Sequence, residues 1–172
     1  MRIVHLTAHL GGGVGKAQAA MRAVDPGSPD HMYLLLESAR DRRFADAVAA
    51  TGTMVIERPG RDELLAYLAD ADIVQVEFWT HPRLYEALAR LPLPTGRYLF
   101  WSHISGLAPP LIAPGLTAAA DVFVYTSACS LERRRAISAS SAAASGSAIR
   151  RNGESRARRC AAAISALSIS SR

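Results

Sequence analysis

Short apolar runs alternate with amphipathic stretches over the first 130 residues, and the alternation predicts a β/α repeat. Met1–Thr7, His31–Leu36, Thr53–Ile56, Asp72–Val76, Tyr98–Trp101 and Val122–Thr126 are strand-length runs. The second is continuously apolar rather than alternating, as a parallel sheet covered on both faces requires. Between the runs, apolar side chains fall at helical spacing. Phe44, Ala47 and Val48 share a face in Asp41–Ala50, Leu64, Leu65 and Leu68 in Arg61–Ala69, and Leu84, Leu88 and Leu91 in Pro82–Leu91. Helices are also predicted for Ala17–Val24 and near Leu111–Ala119. Asp25–Asp30, Gly52, Pro59-Gly60, Pro92–Gly96 and Pro109-Pro110 are the breaks. The expectation is one Rossmann-like three-layer αβα domain over residues 1–130, built on a mostly parallel sheet.

After about Leu131 the character changes. Residues 131–172 are mostly Ala, Ser and Arg, with no proline and no aromatic residue. So little apolar surface cannot offset chain entropy, and the segment is expected to be a disordered tail. The chain has one lysine, Lys16, among its 20 basic residues, which suggests a GC-rich gene. Out-of-frame reading of such a gene favours Ala, Arg and Ser, so the tail reads as a frameshift product or a truncated end. The split also explains the charge. Through Leu131 there are 11 basic and 13 acidic side chains, whereas 9 arginines and 2 glutamates follow, so the net +5 belongs to the tail. Specific nucleic-acid binding would need basic residues on a structured surface with aromatic partners, and is not expected. Cys129 and Cys160 make no metal or redox spacing, and suggest a reducing compartment. No apolar stretch approaches the roughly 20 residues of a membrane span and no leader pattern is visible. A cytoplasmic protein is expected, with membrane-surface association left open.

The densest chemistry lies at the start. The first strand runs through Ala8-His9-Leu10 into Gly11-Gly12-Gly13-Val14-Gly15-Lys16. A strand, a glycine-rich turn and a helix together can hold phosphate or sugar, because backbone approaches the ligand without Cβ atoms and the helix start offers free N–H groups. The dinucleotide pattern G-x-G-x-x-G fails here, since its third glycine falls on Lys16, and Glu37 is the one candidate for the acid that follows the second strand. The phosphate-loop pattern G-x-x-x-x-G-K-[ST] fails at Leu10 and, more seriously, at Ala17, where a magnesium-binding hydroxyl belongs. A degenerate phosphate loop stays an alternative.

Four segments together resemble the N-terminal domain of a GT-B glycosyltransferase of the family 4 group. They are Met1–Thr7 with the Gly11–Gly15 loop, Ala71–Glu77, Arg97–His103 and Ala120–Ser127. The resemblance covers residues 1–130 and implies transfer of a sugar from a nucleotide-sugar to an acceptor hydroxyl, without a metal or other cofactor. It implies that the glycine loop faces the cleft between two domains and that His103, after the fifth strand, lines it. Donor binding in that family belongs chiefly to a second domain with a carboxylate pair on one helix. Glu132 and Glu154, the only acids after Leu131, lack that spacing, so this chain alone is expected to be inactive.

The candidate catalytic residue is therefore His103, whose imidazole can accept from or donate to a hydroxyl near neutral pH. Gly11, Gly12, Gly13, Gly15, Lys16 and Glu77 are the candidate substrate-binding residues. Glu77 could equally cap the next helix, and Lys16 could be solvated. His9 could face the cleft, Ser127 fits a helix cap better than a ligand contact, and His5 reads as a satisfied core residue. The alternative from another class is a standalone Rossmann-like binding module.

Overall fold

The six predicted strands pair side by side, all parallel, in the order β3-β2-β1-β4-β5-β6. The structure is a computed structural model and describes residues 1–25, 30–109 and 111–130. Along the chain the elements are β1 (Arg2–Thr7), α1 (Gly12–Val24), β2 (Asp30–Leu35), α2 (Arg43–Ala49), β3 (Met54–Glu57), α3 (Arg61–Ala69), β4 (Ile73–Phe78), α4 (Pro82–Arg90), β5 (Tyr98–Ser102), α5 (Pro114–Ala119) and β6 (Val122–Tyr125). The chain works outward from β1 to β3, then returns to place β4 on the other side of β1. β1 and β4 are thus the switch point, where loops diverge and a crevice opens beyond the strand ends.

Register sorts the side chains between two faces. Val4 lies beside Met32 and Val74, and Leu6 beside Leu34 and Val76. That face packs on Leu64 and Leu68 of α3, Leu84 and Leu88 of α4 and Leu116 of α5. Each fully buried leucine contributes about 1.5–3 kcal/mol. The opposite face carries a smaller core in which Tyr33, Leu35 and Leu10 meet Ala45 and Val48 of α2, with Ala19 of α1 against them. The result is the expected three-layer αβα domain.

One boundary differs in a way that matters. The sequence predicts a glycine loop with the helix starting at Ala17, but α1 starts at Gly12, with Gly11 as its N-cap. The glycines form the first turn of the helix itself, despite a propensity cost of about 1 kcal/mol each relative to alanine. Gly12 has a left-handed φ of +63°. At Gly15 close packing demands glycine, because a Cβ would stand 1.8 Å from the Leu10 carbonyl oxygen.

Large exposed apolar side chains are Met1, Met21, Val24 and Met54 early in the chain and Leu107, Leu111, Val122 and Val124 late in it. Two of them stand on the edge strand β6. Among the described residues no helix is long and apolar enough to cross a membrane. The expected disordered tail and its frameshift origin lie outside the described residues.

Candidate functional site

Because the sheet is parallel, the loops after all its strands open on one rim. The α1 N-terminus follows β1 there, Glu37 follows β2, Arg58 follows β3, Trp79 and His81 follow β4, and His103 follows β5. A cleft of about 850 Å³ opens on this rim. His9, Gly11, Gly12, Glu37, Arg58 and Arg83 are among its lining residues. Arg58 holds a left-handed φ of 54°, a conformation that costs a non-glycine residue about 1–3 kcal/mol. The predicted residues divide here. Gly11 and Gly12 line the cleft, and Gly13 is exposed on the same helical turn, whereas Gly15 is buried in packing between α1 and Leu10. Lys16 is exposed and does not line the cleft. The Ser127 hydroxyl lies 2.9 Å from Ser130 Oγ, within the helical turn that follows β6.

Glu77 is not at the surface. Its side chain is fully buried and accepts bonds on both carboxylate oxygens. His5 Nδ1 lies 2.9 Å from Oε1, Gln75 Nε2 lies 2.7 Å from the same oxygen, and His103 Nε2 lies 2.6 Å from Oε2. Register produces this grouping. His5 pairs with Gln75, so residues 5, 75 and 77 share the α1 face of adjacent strands, and His103 extends β5 beside them, its N–H donating to the Phe78 carbonyl. Burial raises the Glu77 pKa, but the bonds and opposing charge from His103 and His5 outweigh it, and the net shift is downward. The carboxylate is therefore ionised and each histidine donates to it. With Nδ1–H spent on Glu77, His5 Nε2 accepts from His31 Nδ1 at 2.7 Å. Desolvation, with the neighbouring His5, lowers His31 to about 4. The His5 ring also stacks on Tyr33, with centroids 4.2 Å apart. Glu77 does not cap α4. That helix is capped by His81, whose Nδ1 accepts from the Arg83 N–H.

A second cluster sits at the switch point. His9, Glu37 and His81 each bring one potential ligand atom within 4.8 Å of the others. His81 Nε2 is 3.2 Å from Glu37 Oε1, while His9 Nε2 is 3.9 Å away. The Trp79 ring lies against both imidazoles, and its Nε1–H points to Thr7 Oγ1. Burial, with the nearby His81, lowers the His9 pKa against the pull of Glu37. The backbone decides what this trio can hold. His9 Nδ1 accepts the Gly11 N–H at 2.9 Å and His81 Nδ1 accepts that of Arg83 at 3.3 Å. Each neutral ring then carries its proton on Nε2, facing Glu37. Metal-bound imidazoles show the opposite pattern, a bare nitrogen on the metal and the other N–H donating outward. The two rings thus turn N–H groups toward Glu37 at 3.2 and 3.9 Å, and a metal bound through both Nε2 atoms would have to break the Gly11 and Arg83 bonds.

His103 does not line the cleft and stands two strands from β1. Its side chain keeps 9% of its surface exposed. Sequence reasoning noted Glu37 only as the acid that follows the second strand, and missed Trp79, His81 and Arg58 as rim residues. Their common signal is position, one to three residues beyond a strand end, where a parallel sheet builds its sites.

No family model and no curated protein matches the chain. Among solved structures it is similar to the hypothetic protein SMU.573 from Streptococcus mutans, at 14% identity and a TM-score of 0.44, covering 62% of this chain and 40% of that one. It is also similar to AibC, at 15% identity and a TM-score of 0.40, covering 98% of this chain and 46% of that one. The chain spans less than half the length of either.

Proposed function

We propose that this chain is the acceptor-side half of a two-domain glycosyltransferase, which moves a sugar from a nucleotide-sugar to an acceptor hydroxyl in the cytoplasm. The observation that carries this reading is His103, at the end of β5 with Nε2 bonded to the buried Glu77 carboxylate. A fixed imidazole at a strand end suits recognition of a hydroxyl, which is what the family resemblance assigns to this position. Gly11, Gly12 and Gly13 on the same rim suit close approach of a ligand, and the free thiol of Cys129 fits a reducing compartment. On this reading the donor is held by a domain that residues 132–172 do not resemble, and the chain alone transfers no sugar.

The test uses the purified chain, soluble glycosides as acceptor probes and nucleotide-sugars as donors. Binding of a glycoside, lost in His103→Gln with thermal stability retained, supports the reading. Sugar transfer by the chain alone would refute its inactivity. Glycoside binding that His103→Gln leaves intact would refute the role of His103.

A second reading, a standalone nucleotide-binding module, is favoured by Glu37. It stands just after β2 and lines one cleft with Gly11 and Gly12, the positions from which dinucleotide-binding folds hold ribose and pyrophosphate. Binding of NAD with no response to glycosides would favour it. A degenerate phosphate loop is the weaker version, since Ala17 offers no hydroxyl to magnesium and Gly15 is consumed by packing.

A further inference from the structure

We infer that Glu77 is a positioning residue that locks His103 in one tautomer, so that His103 offers its ligand a hydrogen-bond acceptor, Nδ1, and selects a donor such as a sugar hydroxyl over a phosphate oxygen. The inference rests on the glycosyltransferase reading for the identity of that hydroxyl, but the lock itself is a property of this chain.

His103 Nε2 stands 2.6 Å from Glu77 Oε2, and the carboxylate is fully buried. A buried carboxylate accepts only, so the proton of a neutral His103 must sit on Nε2. A neutral imidazole carries one ring proton, and Nδ1 is left bare. Among the described residues Nδ1 has no hydrogen-bond partner. Glu77 is itself held from the other side by His5 Nδ1 and Gln75 Nε2 on Oε1, so it cannot turn away from His103 without abandoning two donors. Trp101, paired in register with Glu77, holds its ring 4.7 Å from that of His103 and limits the ring's swing. A phosphate or carbonyl oxygen brings no proton to share with a bare nitrogen, whereas a hydroxyl does. The same arrangement suits proton acceptance from that hydroxyl, because Glu77 would stabilise the imidazolium that forms.

The test is long-range proton–nitrogen correlation NMR of the histidine rings in the full chain at pH 7.5, for wild type, Glu77→Gln and Glu77→Asp. The expected wild-type result is one His103 tautomer, with a protonated Nε2 and a bare Nδ1. Glu77→Gln should abolish the single-tautomer pattern, because an amide accepts through its oxygen alone and two imidazoles then compete for it. Glu77→Asp keeps the charge and should restore the pattern. A wild-type His103 that mixes tautomers, or carries its proton on Nδ1, overturns the inference, as does a Glu77→Gln protein whose His103 pattern is unchanged. If Glu77→Gln fails to fold, the wild-type spectrum and Glu77→Asp still decide. No turnover is needed, so a chain that ignores glycosides but shows the locked tautomer refutes the function and leaves the lock standing. Bound methyl glucoside should move the Nδ1 resonance and dimethyl phosphate, a diester with no proton to donate at pH 7.5, should not; the reverse would overturn the ligand class.

Discussion

Replacing glycines one at a time in the first turn of α1 separates those that packing demands from those that only a ligand could demand. At Gly15 a Cβ would lie 1.8 Å from the Leu10 carbonyl oxygen and 2.9 Å from Phe44 Cβ. The first neighbour is backbone and cannot rotate aside, so Gly15→Ala must push α1 off the β1 loop by more than an ångström. Overpacking of that kind costs about 1–3 kcal/mol, sometimes more. The gain in helix propensity, at most about 1 kcal/mol, offsets part of it. A net loss of about 2 kcal/mol is expected, or roughly 4–8 °C in Tm for a chain of this size. At Gly13 nothing lies within 4 Å of the added methyl and φ is not left-handed, so Gly13→Ala should stabilise by up to about 1 kcal/mol. Urea unfolding followed by circular dichroism, with equal slopes, gives both numbers. If Gly15→Ala unfolds at the same urea concentration as Gly13→Ala, the described seating of α1 on Leu10 is wrong. If Gly13→Ala is more stable but binds glycosides as well as wild type, the turn does not face the ligand.

Glu77→Ala strips a buried carboxylate from three donors and should cost about 3–5 kcal/mol in the same unfolding assay; a loss below about 1 kcal/mol would contradict its burial. Acid should destabilise the chain in two steps. His31, lowered to about 4, binds its proton more readily unfolded, so stability is full above pH 6.5 and falls from there to about pH 4. Glu77, lowered from 4.5, contributes stability that is present above that value and lost below it. A urea midpoint that stays flat between pH 7 and pH 4 would refute the first step, and His31→Gln should shrink it to the share left by His9, whose pKa is also lowered. Tyr33→Phe removes the hydroxyl that donates to Gln18 Oε1 at 2.7 Å, in an amide whose Nε2 is already unsatisfied, and should cost about 1–2 kcal/mol. Adding Gln18→Met should recover most of that loss; an additive second loss would contradict the pairing.

The layer order and most element boundaries were legible because each buried strand is a run of large apolar residues and each helix shows its face. Arg61–Ala69 matches to the residue, since Gly60 and the following Asp70–Asp72 punctuate both ends. α1 was misjudged because glycine counts against a helix locally, while the contact that demands Gly15, the Leu10 carbonyl, is tertiary. Glu77 was legible as a strand-end acid but not as a buried one. Alternation in Ile73–Phe78 ordinarily marks a face turned to water, and only register reveals that His5 and His103 meet the carboxylate there. The grouping of His9, Glu37 and His81 likewise depends on the strand order, which brings the β1 and β4 loops together from residues 72 positions apart.

The most direct measurement is chemical-shift mapping on the isotope-labelled chain, titrated separately with methyl glycosides, a nucleotide-sugar and NAD. Glycoside-induced shifts should fall at Gly11–Gly13 and His103, disappear in His103→Gln, and occur without any release of sugar from the nucleotide-sugar. Shifts confined to Gly11, Gly12 and Glu37 on addition of NAD, with no response to any glycoside, would contradict the glycosyltransferase reading.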